Sequence, residues 1–372
     1  MKCNKKLSKT YLIYFIVLTC FVGLRIASSL GAFSFIKDSV ILNMVTTIIT
    51  QVVVMGVVPI TLTILLFKKG FKQTFKDIGF KKINFKSICL CILLGVLVYI
   101  LNVIVATVFS FILSIFGYSA SSSGGQSTTR FSPVVQFIFS TILVAILPAI
   151  FEEIVHRGIL LRKSANEIGY KKAIIISSVL FGLMHLNVTQ CFYAIFIGII
   201  IGFVSSSTGS IYPAMILHFM NNFVNVYFSY ADSYALPGGN LATSVGEMFS
   251  SNFLISVIIF VVFTLCVCAL AIYIYWKLLK ETRFKEINNS LMNVVSEVNE
   301  TSTENLEEKQ VMDTFKDFVA PFINNEEDLI DSLLPPINKD KDASNLRSNV
   351  FKICSLFLGI IVTLFTMIWG IL

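Results

Sequence analysis

Long apolar runs alternate with short polar connections along most of the chain. They predict helices near 11–33, 39–67, 87–117, 132–163, 172–187, 190–206, 211–230, 252–276 and 350–371. A run of about 20 apolar residues crosses a bilayer as a helix. The pattern therefore predicts an all-α polytopic membrane protein, a bundle of about eight transmembrane helices plus a C-terminal apolar span. The runs at 87–117 and 132–163 exceed one hydrocarbon thickness and are expected to tilt or to project into water. The pattern breaks at 278–349, which is polar, acidic and without a long periodic run. Such a segment buries too little apolar surface to fold alone and reads as a disordered extension. The expected organisation is 1–129 as N-terminal membrane helices and 130–230 as a helical core. Residues 231–277 then form an external loop and the eighth span, 278–349 the acidic extension and 350–372 the last span.

Composition narrows the class. Hydrophobic residues make up 55% of the 372 and charged residues only 14%, against about 25% charged in soluble domains. An ordinary soluble enzyme is disfavoured. Residues 281–349 hold 15 acidic and 7 basic side chains, so the remainder of the chain is strongly basic. Lysines cluster before the first span, in the 68–86 connection, around 162–172 and just after the eighth span. Alternating spans place all four on one face, and basic connections mark the cytoplasmic side. The expectation is a multi-pass cell-membrane protein with its N-terminus and the 278–349 segment cytoplasmic. The basic charge then points to the lipid bilayer and not to nucleic acid, while the acidic segment suits a protein partner. The first apolar run lacks a small-x-small cleavage site and reads as an uncleaved span. The eight cysteines show no zinc or redox spacing and are expected to face lipid or core.

A few polar residues fall at membrane depth. Glu152 and Glu153 are adjacent in a long apolar helix, where an acidic side chain costs ~2.5–3.5 kcal/mol on insertion scales. They need a partner or a hydrated cavity, and Arg157 lies one turn from Glu153 on the same face. The three histidines all lie in apolar runs. His185 follows Phe181 by four residues, and His218 precedes Asn222 by four. Each pair shares a helix face. Span counting sets Glu152, His185 and His218 at different depths, so their meeting requires a tilted or interrupted helix. His156 is expected to pack, and Asn102, Asn221 and Asn225 to join helices. Arg25 is expected to snorkel or pair. Glu152 and His156 could give a metal two ligands on one face, but no HExxH is present.

Glu152-Glu153-Ile-Val-His-Arg157 fits EExxxR, Phe181 to His185 fits FxxxH, and His218 to Asn222 fits HxxxN. In this order on three helices they resemble the CPBP family, the CaaX proteases and bacteriocin-processing or immunity proteins also called the Abi family of intramembrane endopeptidases. The resemblance covers roughly 130–230 and leaves the acidic extension and last span aside. It implies that 130–230 is a catalytic core hydrolysing a peptide bond of a membrane-embedded, prenylated or bacteriocin-like substrate. It also implies that Glu152 activates water with help from His185, that His218 and Asn222 stabilise the oxyanion, and that Glu153, Arg157 and Phe181 support the site. Zinc held by Glu152, His185 and His218 fits the site, as does a metal-free mechanism.

Two other function classes fit an intramembrane Glu/His/Arg cluster. A proton-coupled transporter uses such relays, but the paired broken helices of repeated halves are not apparent. A non-catalytic immunity or scaffold protein would keep the fold without the chemistry. The presence of every motif residue favours the endopeptidase.

Overall fold

The computed structural model describes residues 5–118, 131–284, 352 and 354–363. The Ser/Gly-rich connection at 119–130, most of the acidic extension and part of the last apolar run lie outside the described residues, as does Cys3. The described residues form helices and no strand, so the chain is an all-α polytopic membrane protein. Six helices are long and apolar enough to cross a membrane, by length and composition: α1 (Lys6–Ser29), α2 (Ser39–Phe67), α4 (Phe85–Ile115), α5 (Pro133–Ile168), α7 (Val188–Thr208) and α10 (Phe253–Thr282). Between them lie α3 (Phe71–Ile78), α6 (Tyr170–Leu183), α8 (Tyr212–Ser233) and α9 (Leu241–Ser251). A last apolar helix, α11, covers Cys354–Thr363.

Several expectations are corrected here. The helix expected over 172–187 has only 14 residues and stops at Leu183, about 21 Å of rise. His185 therefore lies past the helix end. The chain turns there through a left-handed Leu186, φ 54°. The 211–230 run is a helix, but its polar residues keep it outside the six apolar spans. The 231–251 connection carries α9, and 68–86 carries α3. The described cysteines are free thiols, as expected, with Cys91 and Cys191 in the interior.

Two spans are internally irregular for a reason the sequence carries. Pro59 in α2 and Pro148 in α5 cannot donate a backbone hydrogen bond. On the N-terminal side of each proline the helix widens into π turns, over Ile49–Val57 and Thr141–Ile146. The N–H of Val58 donates to Val53 O, five residues back, and that of Leu147 to Ile142 O. A second π stretch in α5, Ile154–Leu161, is buried along its whole length. This stretch follows directly on the two glutamates, and π turns recur at functional positions in membrane and soluble helices alike.

α5 is the central element. It packs against α1, α2, α3, α6, α7 and α8, while α4 gathers α7, α8 and α10 on the far side. One core joins Leu94, Val98, Ile201 and Leu217; a second joins Tyr11, Val17, Met55, Leu160 and Leu180. Outside the apolar layer, Asp77 of α3 ties this element to the end of α5 through Lys163 at 3.8 Å and bonds Lys69 and Gln73. Burial alone would raise the Asp77 carboxyl, but the hydrogen bonds from Lys69 and Gln73 and the charge of Lys163 outweigh it and hold it below the usual carboxylate range. A lowered carboxyl contributes stability above its unfolded value and loses it as pH falls through the folded one. Acidification below about pH 4 is expected to loosen α3 first, read as faster hydrogen exchange over 71–78.

The α6–α7 pair is the tightest helix contact near the motifs. A Cβ on Gly182 would stand 2.6 Å from the Cys191 carbonyl oxygen and 2.4 Å from Ile195 Cγ1. Backbone cannot yield as a side-chain tip does, so Gly182→Ala is expected to cost roughly 1–3 kcal/mol by overpacking. Gly23→Ala in α1 meets nothing within 4 Å and is expected to gain roughly 0.5–1 kcal/mol. Opposite shifts in the unfolding temperature of the detergent-solubilised protein check the pair.

Candidate functional site

The motif residues meet around one aromatic ring. Phe181, on the last turn of α6, lies edge-on to His156 at 5.0 Å, His185 at 5.0 Å and His218 at 5.6 Å between centroids. The Arg157 guanidinium sits 4.6 Å from its centroid. The depth mismatch is thus resolved by chain breaks. α6 ends beside the middle of the bundle, and His185 folds back so that its Nδ1–H donates to Phe181 O at 3.0 Å. His218 reaches the same ring from the second turn of α8.

Adjacent glutamates are held differently. Glu153 and Arg157 are both 0% exposed and joined by Nη1 to Oε1 at 2.8 Å. The same carboxylate oxygen faces His218 Nδ1 at 2.8 Å. Arg157 Nη2 donates to Gly198 O at 3.1 Å, and a Cβ on Gly198 would press against that nitrogen at 3.3 Å. The glycine leaves room for the guanidinium between α5 and α7. Glu152, one residue earlier, is half-buried, and its Oε1 accepts a hydrogen bond from Gln51 Nε2 at 2.8 Å. The Glu152 carboxylate and the His218 ring both lie within electrostatic range of His185.

His156 is fully buried between Tyr14 and Phe181, in keeping with a packing role. Its Nδ1–H donates to Glu152 O at 2.7 Å and its Nε2 has no partner. Asn222 occupies a position with a structural duty. Pro148 leaves the Val144 carbonyl, four residues back, without its helical donor, and Asn222 Nδ2 donates to that oxygen at 2.9 Å. Freed carbonyls at membrane depth need such a neighbour. The Oδ1 of Asn222 accepts from Asn221, and Asn221 accepts from Asn102 at 3.0 Å. This amide chain links α4, α8 and α5, as expected for Asn102 and Asn221; Asn225 is exposed. Arg25 lines a cleft between α1 and α2.

Among the described residues, no three His, Cys, Asp or Glu side chains are grouped so as to hold a metal. The set Glu152, His185 and His218 forms no such group. Sequence spacing also missed Gln51, the partner of Glu152, because it lies 101 residues away in a helix outside all three motifs.

Breaking a buried ion pair from one side leaves a charge without a partner, at about 3–5 kcal/mol. Arg157→Met is expected to lower the unfolding temperature by that equivalent. Glu152→Gln, half-buried and able to keep its bond to Gln51, is expected to shift it by less than about 1 kcal/mol. A thermal melt of purified protein in detergent distinguishes the two positions.

Residues 134–224 match the family model for type II CAAX prenyl endopeptidases of the Rce1-like kind. The matched segment opens in α5 and closes in α8, so it contains every motif residue from Glu152 to Asn222. No curated protein and no solved structure matches the chain. The 134–224 segment is thus similar to Rce1-like type II CAAX prenyl endopeptidases, the CPBP type that the three motifs resemble.

Proposed function

We propose that the chain is an intramembrane endopeptidase that hydrolyses a peptide bond of a membrane-embedded substrate, with Glu152 as general base. The observation that carries this is the division between the two glutamates. One is locked in a buried ion pair, and its neighbour is half-buried with one carboxylate oxygen held by Gln51. A base needs a carboxylate that can reach water, and a low-dielectric surrounding strengthens the donors that meet developing charge.

The residues take distinct parts. Gln51 occupies one oxygen of Glu152 and leaves the other for a water proton. His185 spends its Nδ1–H on Phe181 O, so its Nε2 is an acceptor, suited to hold the second hydrogen of that water. The water oxygen attacks the carbonyl carbon as Glu152 takes its proton. The carbonyl oxygen becomes an oxyanion, the C–N bond then breaks, and the proton passes from Glu152 to the leaving amine. His218 presents its remaining nitrogen to the oxyanion. The Glu153 carboxylate holds the Nδ1 side of His218 and orients the ring. Asn222 has a second Nδ2 hydrogen beyond the one given to Val144 O. Glu153, Arg157 and Phe181 act through these groups and position them.

The family match supports a substrate of the CaaX class, a prenylated or similarly membrane-held peptide. A bacteriocin-like peptide is the other membrane-held chemistry of this family type. Lysine-rich connections support a cytoplasmic N-terminus and a cytoplasmic 278–349 segment. That acidic segment offers a protein partner a charged surface. Helices 1–129 and 231–277 frame the 130–230 core.

Membranes carrying the wild-type chain and membranes carrying Glu152→Gln, at matched expression, are to be compared for new peptide termini. Loss of a general base lowers the rate by roughly 10²–10⁴-fold, so wild-type-specific termini are expected to vanish and to name the substrate. Identical termini would overturn the assignment and favour a non-catalytic immunity or scaffold role. Loss of a proton-coupled uptake with termini unchanged would favour a transporter.

A further inference from the structure

Hydrolysis at membrane depth consumes water, and the motifs do not explain how water arrives. α2 carries Asn43, Thr46, Thr47, Thr50 and Gln51 in its N-terminal half. Their spacing of i, i+3, i+4, i+7 and i+8 puts all five on one face. α1 carries Arg25, Ser28 and Ser29 in the matching i, i+3, i+4 pattern. The two stripes face each other across a cleft of about 240 Å³. A single buried water needs roughly 10–15 Å³ measured this way and two to four polar partners, so the cleft has the room and the polar lining for a file of waters.

The cleft runs from the end nearest the α1–α2 connection to Gln51. Asn43 to Gln51 covers about 12 Å of helix rise. Gln51 is 7% exposed, and its Oε1 is buried without a hydrogen-bond partner. Its Nε2 donates to Glu152. One amide thus presents an unfilled acceptor where the cleft ends and grips the base with its other end. An acceptor left open at that depth is unfavourable unless a donor fills it.

We infer that the α1–α2 cleft is the route by which water reaches Glu152, with Gln51 Oε1 accepting from the last water of the file. Gln51 is accordingly a positioning residue that couples hydration of the cleft to the orientation of the base. This rests on the assignment of Glu152 as the water-activating group, but its first test does not depend on cleavage.

The test is reaction of introduced cysteines with a charged, membrane-impermeant thiol reagent, in membranes, followed by peptide mass mapping. Thiols react as thiolates, which form only where water reaches them. Thr47→Cys and Thr50→Cys are near-isosteric and lie in the cleft. Ile48→Cys lies at the same depth about 100° around the helix from Thr47, outside the cleft lining, where the native side chain is 44% exposed. The expected result is labelling at 47 and 50 roughly tenfold or more faster than at 48. Equal labelling at all three, or none at 47 and 50, overturns the route.

A second arm reads the chemistry. Thr47→Leu with Thr50→Leu fills the cleft and is expected to slow formation of the Glu152-dependent termini by roughly tenfold, while Ile48→Leu leaves it unchanged. Termini formed at the wild-type rate with the cleft filled would also overturn the route. A labelled cleft in membranes that yield no Glu152-dependent termini would sink the peptidase assignment and leave the hydrated cleft standing.

Discussion

The arrangement depends on one ion pair that water does not reach. Glu153 and Arg157 have no exposed surface, and in such a place two charges survive only when each holds the other and the remaining hydrogen-bonding atoms find partners. The structure supplies most of these. Arg157 spends its second terminal nitrogen on Gly198 O and lays its face on Phe181, and Glu153 turns its shared oxygen to His218. α5, α6, α7 and α8 are tied to one another through this single charge pair. The ion pair adds little net stability compared with an apolar core of the same volume. Its contribution is register: it fixes which turn of each helix faces the others.

Backbone irregularity does the rest of the positioning. Straight helices would keep Glu152, His185 and His218 at separate depths. Pro148 and Pro59 open their helices into wide turns, α6 stops after four turns, and Leu186 redirects the chain. Each break frees backbone groups that lipid cannot satisfy. Asn222 answers one of these through Val144, and the Asn102–Asn221–Asn222 chain holds it in place. A residue named by a motif for its chemistry is therefore also part of the framework that shapes the site.

Much of this was legible in the chain. The second span, expected at 39–67, is found at Ser39–Phe67, because a long mainly apolar run without charge, bounded by Asp38 and Lys68, leaves little choice. The Glu153–Arg157 pair followed from one-turn spacing and the cost of a lone charge in lipid. Phe181 and His185 were legible as neighbours, but not as a helix end. The stop at Leu183 is set by packing against α7 and by the turn at Leu186, neither of which has a local signal. Gln51 was hidden for a different reason. Periodicity is scanned for apolar faces, and the polar stripe that carries Gln51 is its complement. A search for polar side chains at i, i+3, i+4 and i+7 within an apolar run would have found it. The proximity of that stripe to Glu152 depends on tertiary packing alone.

The ion pair has a further consequence for biosynthesis. A nascent chain delivers α5 to the bilayer before α8 exists, since His218 is 65 residues later than Glu153. At that stage Arg157, one turn on in the same helix, is already present as a partner for Glu153. The Glu153 charge therefore arrives with its counter-charge already built into the same helix. The histidine is recruited afterwards, when the later helices close around a pair that is already formed.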